Sequence, residues 1–143
     1  MSRSIVLAIQ TGASSSDLYR ALTTSEGLRA FWTSDADAAA DVGGSLRLGF
    51  AEAPVDLTMR LAEAVPGEQV RWGNVSPWPT WTGTEVTWSI QDAGESRTVV
   101  FAHGGFVDET SDVELGMIAT TWAKVLEALD AYATSGIAQP ALG

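Results

Sequence analysis

The sequence predicts an α+β fold in which antiparallel strands pack against one long C-terminal helix. Residues 109–135 repeat apolar side chains at spacings of three and four, as a helix with one buried face does. Residues 55–61 instead alternate apolar and polar side chains, which is typical of a half-buried strand. Helical segments lie only near the two ends of the chain, and this order favours α+β over a doubly wound sheet. The apolar positions of the long helix are Leu115, Ile118, Trp122, Val125, Leu126, Leu129 and Tyr132.

A strand and two short helices are predicted at the start of the chain. The strand covers residues 4–10, where an apolar run is bounded by polar residues. Residues 14–24 form the first helix, because the serines at its start can cap it. Residues 25–32 form the second helix, which ends on Trp32. Residues 35–40 are ambiguous and could form a short edge strand.

Five further strands are predicted, and turn residues separate them. Gly43-Gly44 and Pro66-Gly67 mark two of these turns, and Gly104-Gly105 is expected to end the last strand. With the first strand and the ambiguous segment, the sheet has about six or seven strands. The five strands cover residues 45–50, 55–61, 69–75, 84–91 and 97–103.

The segment at residues 76–83 is an unusual loop, because it places Trp78 and Trp81 among two prolines. Loops often carry binding residues, so the two tryptophans could form a lid over a ligand. Alternatively, the prolines could stiffen a cap over one end of the core.

The length of 143 residues is that of one domain with a substantial core. We expect a single domain over residues 1–136 and a frayed tail over residues 137–143. No run of about 18 apolar residues is present, and the N-terminus does not resemble a signal peptide. A cytoplasmic protein is therefore expected.

Charge and composition exclude several classes of function. The formal net charge is −10, from 18 acidic and 8 basic residues, so nucleic acid and anionic membranes are disfavoured as partners. The chain has no cysteine and one histidine, which excludes disulfides, thiolate catalysis and polyhistidine metal sites. Asp35, Asp37 and Asp41 form a loose acidic cluster without the spacing of a metal site. No metal or cofactor is expected.

Four short motifs occur in order along the chain. They are Ala21-Leu22-Thr23-Thr24 with Leu28 and Phe31-Trp32, then Asp41-Val42-Gly43-Gly44-Ser45-Leu46, then Val99, Phe101, His103 and Gly105-Phe106, and last Gly116, Trp122, Leu126 and Leu129. In these motifs the chain resembles the SRPBCC superfamily, which has the START-like or helix-grip fold also seen in the birch-pollen allergen. Within it, the chain is similar to the subfamily named for the activator of heat-shock-protein-90 ATPase. Gly116 and Trp122 stand further apart here than the adjacent Gly-Trp pair of that subfamily.

The resemblance implies a curved sheet that grips the last helix, with a mostly apolar cavity between them. It does not imply one activity. Members of the superfamily bind lipids and hormones, cyclise or dehydrate polyketides, or act as co-chaperones.

The tryptophans, six in all, are the first candidates for a ligand site. Trp32, Trp72 and Trp88 lie on predicted inward faces, where they could line a cavity or pack the core. Trp81 could cover a ligand from the loop. Trp122 lies on the inner face of the long helix and has the same two interpretations.

His103 is in phase with Val99 and Phe101 and should face the interior. It could act as a general acid or base, or it could anchor the polar end of a ligand. The structural alternative is a bond to Asp108 or Glu109 that ties the last strand to the long helix.

Five other residues are candidates for the cavity lining. Met59 and Met117 would fill irregular apolar space, and Phe101 would add an aromatic ring. Arg97 could orient an anionic group of a ligand or extend to solvent. Thr121 could bind a ligand through its hydroxyl or bond to its own helix.

These residues support a binding protein that holds a small apolar or aromatic molecule between sheet and helix, with no catalytic residue. The alternatives are an enzyme of the polyketide cyclase or dehydratase type, in which cavity shape folds the substrate, and a co-chaperone that docks through the tryptophan loop. A fourth possibility is an interior filled by its own tryptophans. Either a monomer or a homodimer is compatible with the sequence.

Overall fold

The computed structural model describes residues 2–39, 41–75 and 77–142. Ala40, at the end of the ambiguous segment, and Ser76, at the start of the predicted loop, lie outside the described residues. None of the three helices in the described part of the chain has the length and apolar character needed to span a membrane. In chain order the elements are β1 Arg3–Thr11, α1 Ser15–Thr23, α2 Ser25–Phe31, β2 Asp35–Ala38, β3 Ser45–Gly49, β4 Leu57–Val65, β5 Gln69–Asn74, β6 Glu85–Ala93, β7 Ser96–Phe106 and α3 Asp112–Ser135.

The seven strands form one curved antiparallel sheet in the order β1-β7-β6-β5-β4-β3-β2. Strands β2 to β6 each pair with the next strand in the chain, and β1 joins the sheet beside β7. α1 and α2 connect the two edge strands, β1 and β2. The α+β helix-grip architecture is confirmed, and the ambiguous segment forms the edge strand β2.

The core lies between the inner face of this sheet and the three helices. The predicted alternation in β4 is confirmed, because Leu57, Met59 and Leu61 are buried while Arg60 is exposed. Trp122 contributes its side chain to the same core from the inner face of α3. Burial of such side chains drives folding by about 25 cal/mol per Å² of apolar area, so these alternating positions fix which face of each strand points inward.

The long helix begins at Asp112, three residues later than the sequence pattern indicates. Ser111 caps it, since its hydroxyl accepts a hydrogen bond from the N–H of Glu114 at 3.1 Å. Gly136 ends it with φ +76°, and its N–H donates to the carbonyl of Tyr132 at 2.7 Å.

The expectation that Gly104-Gly105 ends the last strand is wrong. β7 continues through both glycines to Phe106, and the register of β1 against it shifts between Arg3 and Ser4. Gly105 has φ +93°, a conformation that residues with a Cβ atom rarely adopt. A glycine pair is compatible with a turn or with an irregular strand, and only the pairing with β1 distinguishes the two.

The tail also differs from the expectation of a frayed end. The backbone N–H groups of Gln139, Ala141 and Leu142 donate to the three consecutive carbonyls of residues 30–32, at 2.9–3.0 Å. The last carbonyls of a helix have no partner within the helix, so the end of α2 offers free acceptors to a passing chain. The tail is therefore attached to α2 through its backbone.

Candidate functional site

Tryptophan side chains form a continuous aromatic cluster between the sheet and α3. Trp32 stacks on Trp72 with ring centroids 5.6 Å apart and an angle of 7° between the rings. Trp122 lies 5.0 Å from Trp32 on one side and 5.8 Å from Trp81 on the other. Trp88 meets Trp72 edge to face at 5.5 Å. Such pairs contribute about 0.5–1.5 kcal/mol each beyond the burial of their area, so the cluster also stabilises the fold.

An open space of about 740 Å³ adjoins this cluster, and we call it the aromatic groove. Its aromatic lining consists of Trp32, Phe50, Trp78, Trp81 and Trp122. Trp32 and Trp122 are almost fully buried, whereas the other three are half-buried, so the groove runs from the core to the surface. Its volume is within the range of roughly 300–1,000 Å³ that is usual for small-molecule pockets.

The tail, α3 and the loop after β3 complete the walls of the aromatic groove. Glu52, in that loop, is the one charged residue among the lining residues that the structure describes. Met117 and Thr121 are exposed and lie at the mouth. The remaining lining residues are Ala51, Ala53, Ile118, Val125, Ala141 and Leu142.

The tryptophan loop, residues 77–83, forms one side of the groove and is fixed by its own hydrogen bonds. The indole N–H of Trp78 donates to the carbonyl of Val55 at 3.0 Å, and its ring lies 5.7 Å from Phe50. The backbone N–H of Trp81 donates to the carbonyl of Trp78 at 3.1 Å, and the two rings meet edge to face. Val55, predicted as the start of a strand, therefore lies outside β4 and holds the loop instead.

A second pocket of about 560 Å³ adjoins the groove across this loop. It shares Trp78, Trp81, Met117 and Ile118 with the groove. Because the same four side chains line both spaces, they form a thin wall between them.

A buried polar network attaches the tryptophan loop to the core. The indole N–H of Trp122 donates to Nδ1 of His103 at 3.1 Å, and Nε2 of His103 lies 2.9 Å from Oγ1 of Thr84. Oγ1 of Thr84 also donates to the carbonyl of Trp81 at 2.6 Å and accepts from Nδ2 of Asn74 at 2.9 Å. Side chains from β5, β7 and α3 thus converge on Thr84, which lies between the tryptophan loop and β6.

This network fixes the state of His103. An indole can only donate, so Nδ1 of His103 is an acceptor and the ring proton is on Nε2, where it is donated to Thr84. Burial lowers the pKa of His103 to about 3, because a charged imidazole would lose its hydration there. Both ring nitrogens are occupied and the residue is outside the groove lining, which leaves no nitrogen for acid–base chemistry on a ligand. The partners are Trp122 and Thr84, where the sequence suggested Asp108 or Glu109.

Apart from His103 and Arg97, the predicted lining residues fall into two groups. Met59, Trp72, Trp88 and Phe101 have no exposed surface and fill the core without lining the groove. The indole N–H groups of Trp72 and Trp88 have no hydrogen-bond partner among the described residues. The second group does line the groove and consists of Trp32, Trp81, Met117 and Thr121.

Arg97 lies far from the aromatic groove. Its Nε is 2.9 Å from a carboxylate oxygen of Asp92, directly opposite it in the β6–β7 hairpin. β6 begins at Glu85 beside the tryptophan loop and runs about 25–30 Å to this hairpin, at roughly 3.3 Å per residue. Arg97 therefore does not line the aromatic groove.

Sequence reasoning missed Phe50 and the tail residues Ala141 and Leu142. Phe50 continues the alternation of Leu46 and Leu48, which was a usable signal for an inward position. No pattern in the tail indicates that it returns to α2, because its contacts are made by the backbone.

Two carboxylates of the acidic cluster, those of Asp35 and Asp37, form ion pairs with arginines. Arg47 binds Asp35 and Asp37 at 2.7 Å and Asp56 at 3.1 Å, and Arg29 binds Asp37 from the other side. Hydrogen bonds from Arg47 and Arg29 hold the pKa of Asp37 below its usual value. Within residues 2–39, 41–75 and 77–142, no group of His, Cys, Asp or Glu is arranged to hold a metal ion.

Residues 12–134 match the family model for activator of Hsp90 ATPase homolog 1-like protein. The chain belongs to this family. The resemblance in the sequence motifs is thereby confirmed, and it covers almost the whole chain. None of the curated proteins that were compared with this chain matches it.

Solved structures with the same fold include the Aha1 dimer of Colwellia psychrerythraea, which was determined in solution. It is 27% identical to this activator-like chain with a TM-score of 0.82, and the match covers 94% of this chain and 98% of that one. The protein MLL2253 of Mesorhizobium loti is 17% identical with a TM-score of 0.77, covering 90% and 95%. DynU16, a protein of the dynemicin biosynthetic locus, is 14% identical with a TM-score of 0.75, covering 98% of this chain and 49% of DynU16.

Proposed function

We propose that this protein binds a small, mainly apolar aromatic molecule in the aromatic groove. The observation that carries the proposal is a space of about 740 Å³ lined by five aromatic side chains and open to solvent at one end. Small-molecule sites are mostly apolar and contain a few polar groups that set orientation. The hydroxyl of Thr121 and the carboxylate of Glu52 are such groups at the rim.

The position of the groove refines the ligand site suggested by the sequence. Met59, Trp72, Trp88 and Phe101 occupy the space between the middle of the sheet and α3, so we propose that the ligand binds beside the tryptophan loop. Trp78 and Trp81 then contact the ligand directly from a loop that is bonded to the core.

The two alternatives from the sequence are less well supported. A cyclase-type enzyme needs a group that moves protons in the cavity, and the ring nitrogens of His103 are both engaged elsewhere. A co-chaperone surface needs exposed aromatic residues. Trp78 and Trp81 are half-buried and pack against Phe50 and Trp122.

Intrinsic tryptophan fluorescence tests the proposal, because the groove is lined by the reporter residues themselves. Titration with flavonoids and polyketide-like aromatics is expected to quench the emission in a saturable way. In Thr121→Phe a ring would occupy the mouth of the groove, and we expect affinity to fall by about tenfold or more.

Thr120→Phe is the matched control. Thr120 is the neighbouring exposed residue, bonds to its own helix at Gly116 as Thr121 does at Met117, and is outside the groove lining. The Thr120→Phe variant should bind ligands with the same affinity as the unmodified protein. Equal affinity in both variants, or no saturable response to any compound, would contradict the proposal.

A homodimer is proposed as the assembly state. Its support is the dimer formed by the similar Colwellia protein, which matches nearly the full length of both chains. Sedimentation equilibrium at micromolar concentration tests this directly, and a single species of 15.1 kDa would refute it.

A further inference from the structure

The aromatic groove has a negative charge but no positive charge among its described lining residues. Glu52 is the only charged residue among its described lining residues, and no Lys, Arg or His lines it there. The chain as a whole has a net charge of −10. An anionic ligand would therefore enter a negative field and find no positive partner, whereas a cation would be attracted.

Most of the basic side chains are engaged elsewhere. Of the eight basic residues, six form ion pairs with carboxylates: Arg3, Arg20, Arg29, Arg47, Arg71 and Arg97. Arg60 points outward from β4, and Lys124 is exposed on α3 one turn beyond Thr121, outside the groove lining. The groove thus keeps its negative character in the folded protein.

Trp81 and Trp122 stack with an angle of 29° between their rings, whereas the rings along the outer part of the groove are inclined to one another. The angle between the rings is 51° for Trp32 and Phe50, 51° for Phe50 and Trp78, and 74° for Trp78 and Trp81. Consecutive centroids are 5.4–5.9 Å apart. Inclined rings around one space allow a single bound group to lie near several ring faces, which is the arrangement by which aromatic cages hold ammonium groups.

We propose that the aromatic groove selects organic cations, an aromatic or alkyl body that carries an ammonium group, over neutral and anionic molecules of the same shape. The inference rests on the proposed function of the groove and specifies its ligand class. The ammonium group lies against the rings of Phe50, Trp78 and Trp81, and the carboxylate of Glu52 adds attraction at the rim.

Three probes of nearly equal size test the selectivity. Phenyltrimethylammonium and tert-butylbenzene have the same shape and differ in charge, and benzoate provides the anion. Affinities are measured by tryptophan quenching at low and at physiological salt. The cation is expected to bind roughly 3- to 30-fold more tightly than its neutral isostere, with benzoate the weakest of the three.

Two substitutions separate the ring contribution from the carboxylate contribution. Phe50→Leu keeps an apolar side chain but removes the ring, so the preference for the cation should shrink while the neutral probe still binds. Glu52→Gln should weaken binding of the cation by about two- to fivefold more than binding of the neutral probe, as expected for loss of an exposed charge pair. Glu95→Gln removes a charge of the same sign in the distant β6–β7 hairpin, and it should change the affinity for neither the cation nor the neutral probe.

The outcomes distinguish this inference from the proposed function. If tert-butylbenzene or benzoate binds as tightly as the cation, and Thr121→Phe abolishes that binding, the groove is a ligand site but the cation preference is wrong. If none of the probes and none of the aromatic panel binds, the proposed function fails as well. A cation preference that persists unchanged in both Phe50→Leu and Glu52→Gln would place the cation elsewhere and overturn the inference.

Discussion

Trp122 donates its indole N–H to Nδ1 of His103 across 3.1 Å, and this bond joins the long helix α3 to strand β7 inside the core. Through Nε2, the same histidine reaches Thr84, whose hydroxyl holds the carbonyl of Trp81. A series of hydrogen bonds that begins on α3 thus positions Trp81 in the wall of the aromatic groove. The single histidine therefore acts on the groove from behind it, as a positioning residue.

Two tryptophan substitutions should differ in cost because only one of the indoles is hydrogen-bonded. Trp122→Phe removes the bond to His103 and leaves a buried nitrogen of that histidine without a partner, whereas the indole N–H of Trp72 has no hydrogen-bond partner among the described residues. Both leave a similar void. We expect Trp122→Phe to lower the free energy of unfolding by about 1–3 kcal/mol more than Trp72→Phe does. Urea denaturation measures both, and equal losses would show that the bond contributes nothing.

The stability of the protein should fall below pH 6.5 because His103 is buried in its neutral form. Its pKa is about 3 in the folded state and 6.5 in an unfolded chain, so between these values the unfolded state binds the extra proton. Stability is then fully present above pH 6.5 and is lost as the pH falls. Between pH 6.5 and 5 the loss from this residue should be about 1.5 kcal/mol.

The His103→Gln variant isolates this effect, since glutamine does not titrate. Urea denaturation of both proteins at several pH values above 5 avoids the titration of most carboxylates. The difference in unfolding free energy between them should narrow as the pH is lowered from 7.5 to 5. A constant difference would mean that His103 is not held neutral in the fold.

Glycines at two helical positions should respond in opposite directions to alanine. At Gly27 in α2, a Cβ atom would lie 2.2 Å from the carbonyl oxygen of Ala21, so Gly27→Ala must separate α1 from α2. At Gly116 in α3 a Cβ atom would meet nothing within 4 Å. Gly27→Ala should destabilise the protein by about 2 kcal/mol or more, whereas Gly116→Ala should stabilise it by about 0.5–1 kcal/mol. Thermal unfolding distinguishes the two, and a tolerated Gly27→Ala would contradict the close packing of the helices.

Removal of the tail after Gly136 should weaken both the fold and the groove. The truncation deletes three backbone hydrogen bonds to the end of α2, and it removes Ala141 and Leu142 from the groove wall. We expect a loss of about 1–3 kcal/mol in unfolding free energy and weaker binding of aromatic probes. Leu142→Ala keeps the backbone bonds, so it should reduce probe affinity with a smaller effect on stability. Unchanged probe binding in both variants would show that the tail is not part of the site.

Most of the fold could be predicted from the sequence, because each strand and helix has its own periodicity. The alternation of Leu57, Met59 and Leu61, and the spacing of Trp122 and Leu129 in α3, identify buried faces without any long-range information. Predictions from the sequence were wrong where one local pattern is compatible with two different structures. A glycine pair in β7 and an apolar tail are both compatible with more than one path of the chain.

The candidate site was less predictable than the fold. The alternation of side chains in a strand shows which face of the sheet a residue lies on, but not how far along the sheet it lies from the groove. Phe101 and Phe50 both continue the inward-facing alternation of a strand, yet Phe101 fills the core and Phe50 lines the groove. Which of them faces open space depends on how Trp32, Trp72 and Trp88 occupy the volume between sheet and helix. That occupancy is a property of packing among residues far apart in the chain.

The sequence by itself determined the α+β class, the order of the elements and the family of this protein, because these follow from local periodicity and short motifs. The tertiary structure alone decided that the single histidine is a neutral structural residue, that the tail closes against α2 and that the open space lies beside the tryptophan loop. The physical reason is that hydrogen-bond partners, desolvation and empty volume arise only when distant segments meet. The periodicity of the sequence predicts which side chains are buried, whereas the packing of distant segments determines which residues they contact.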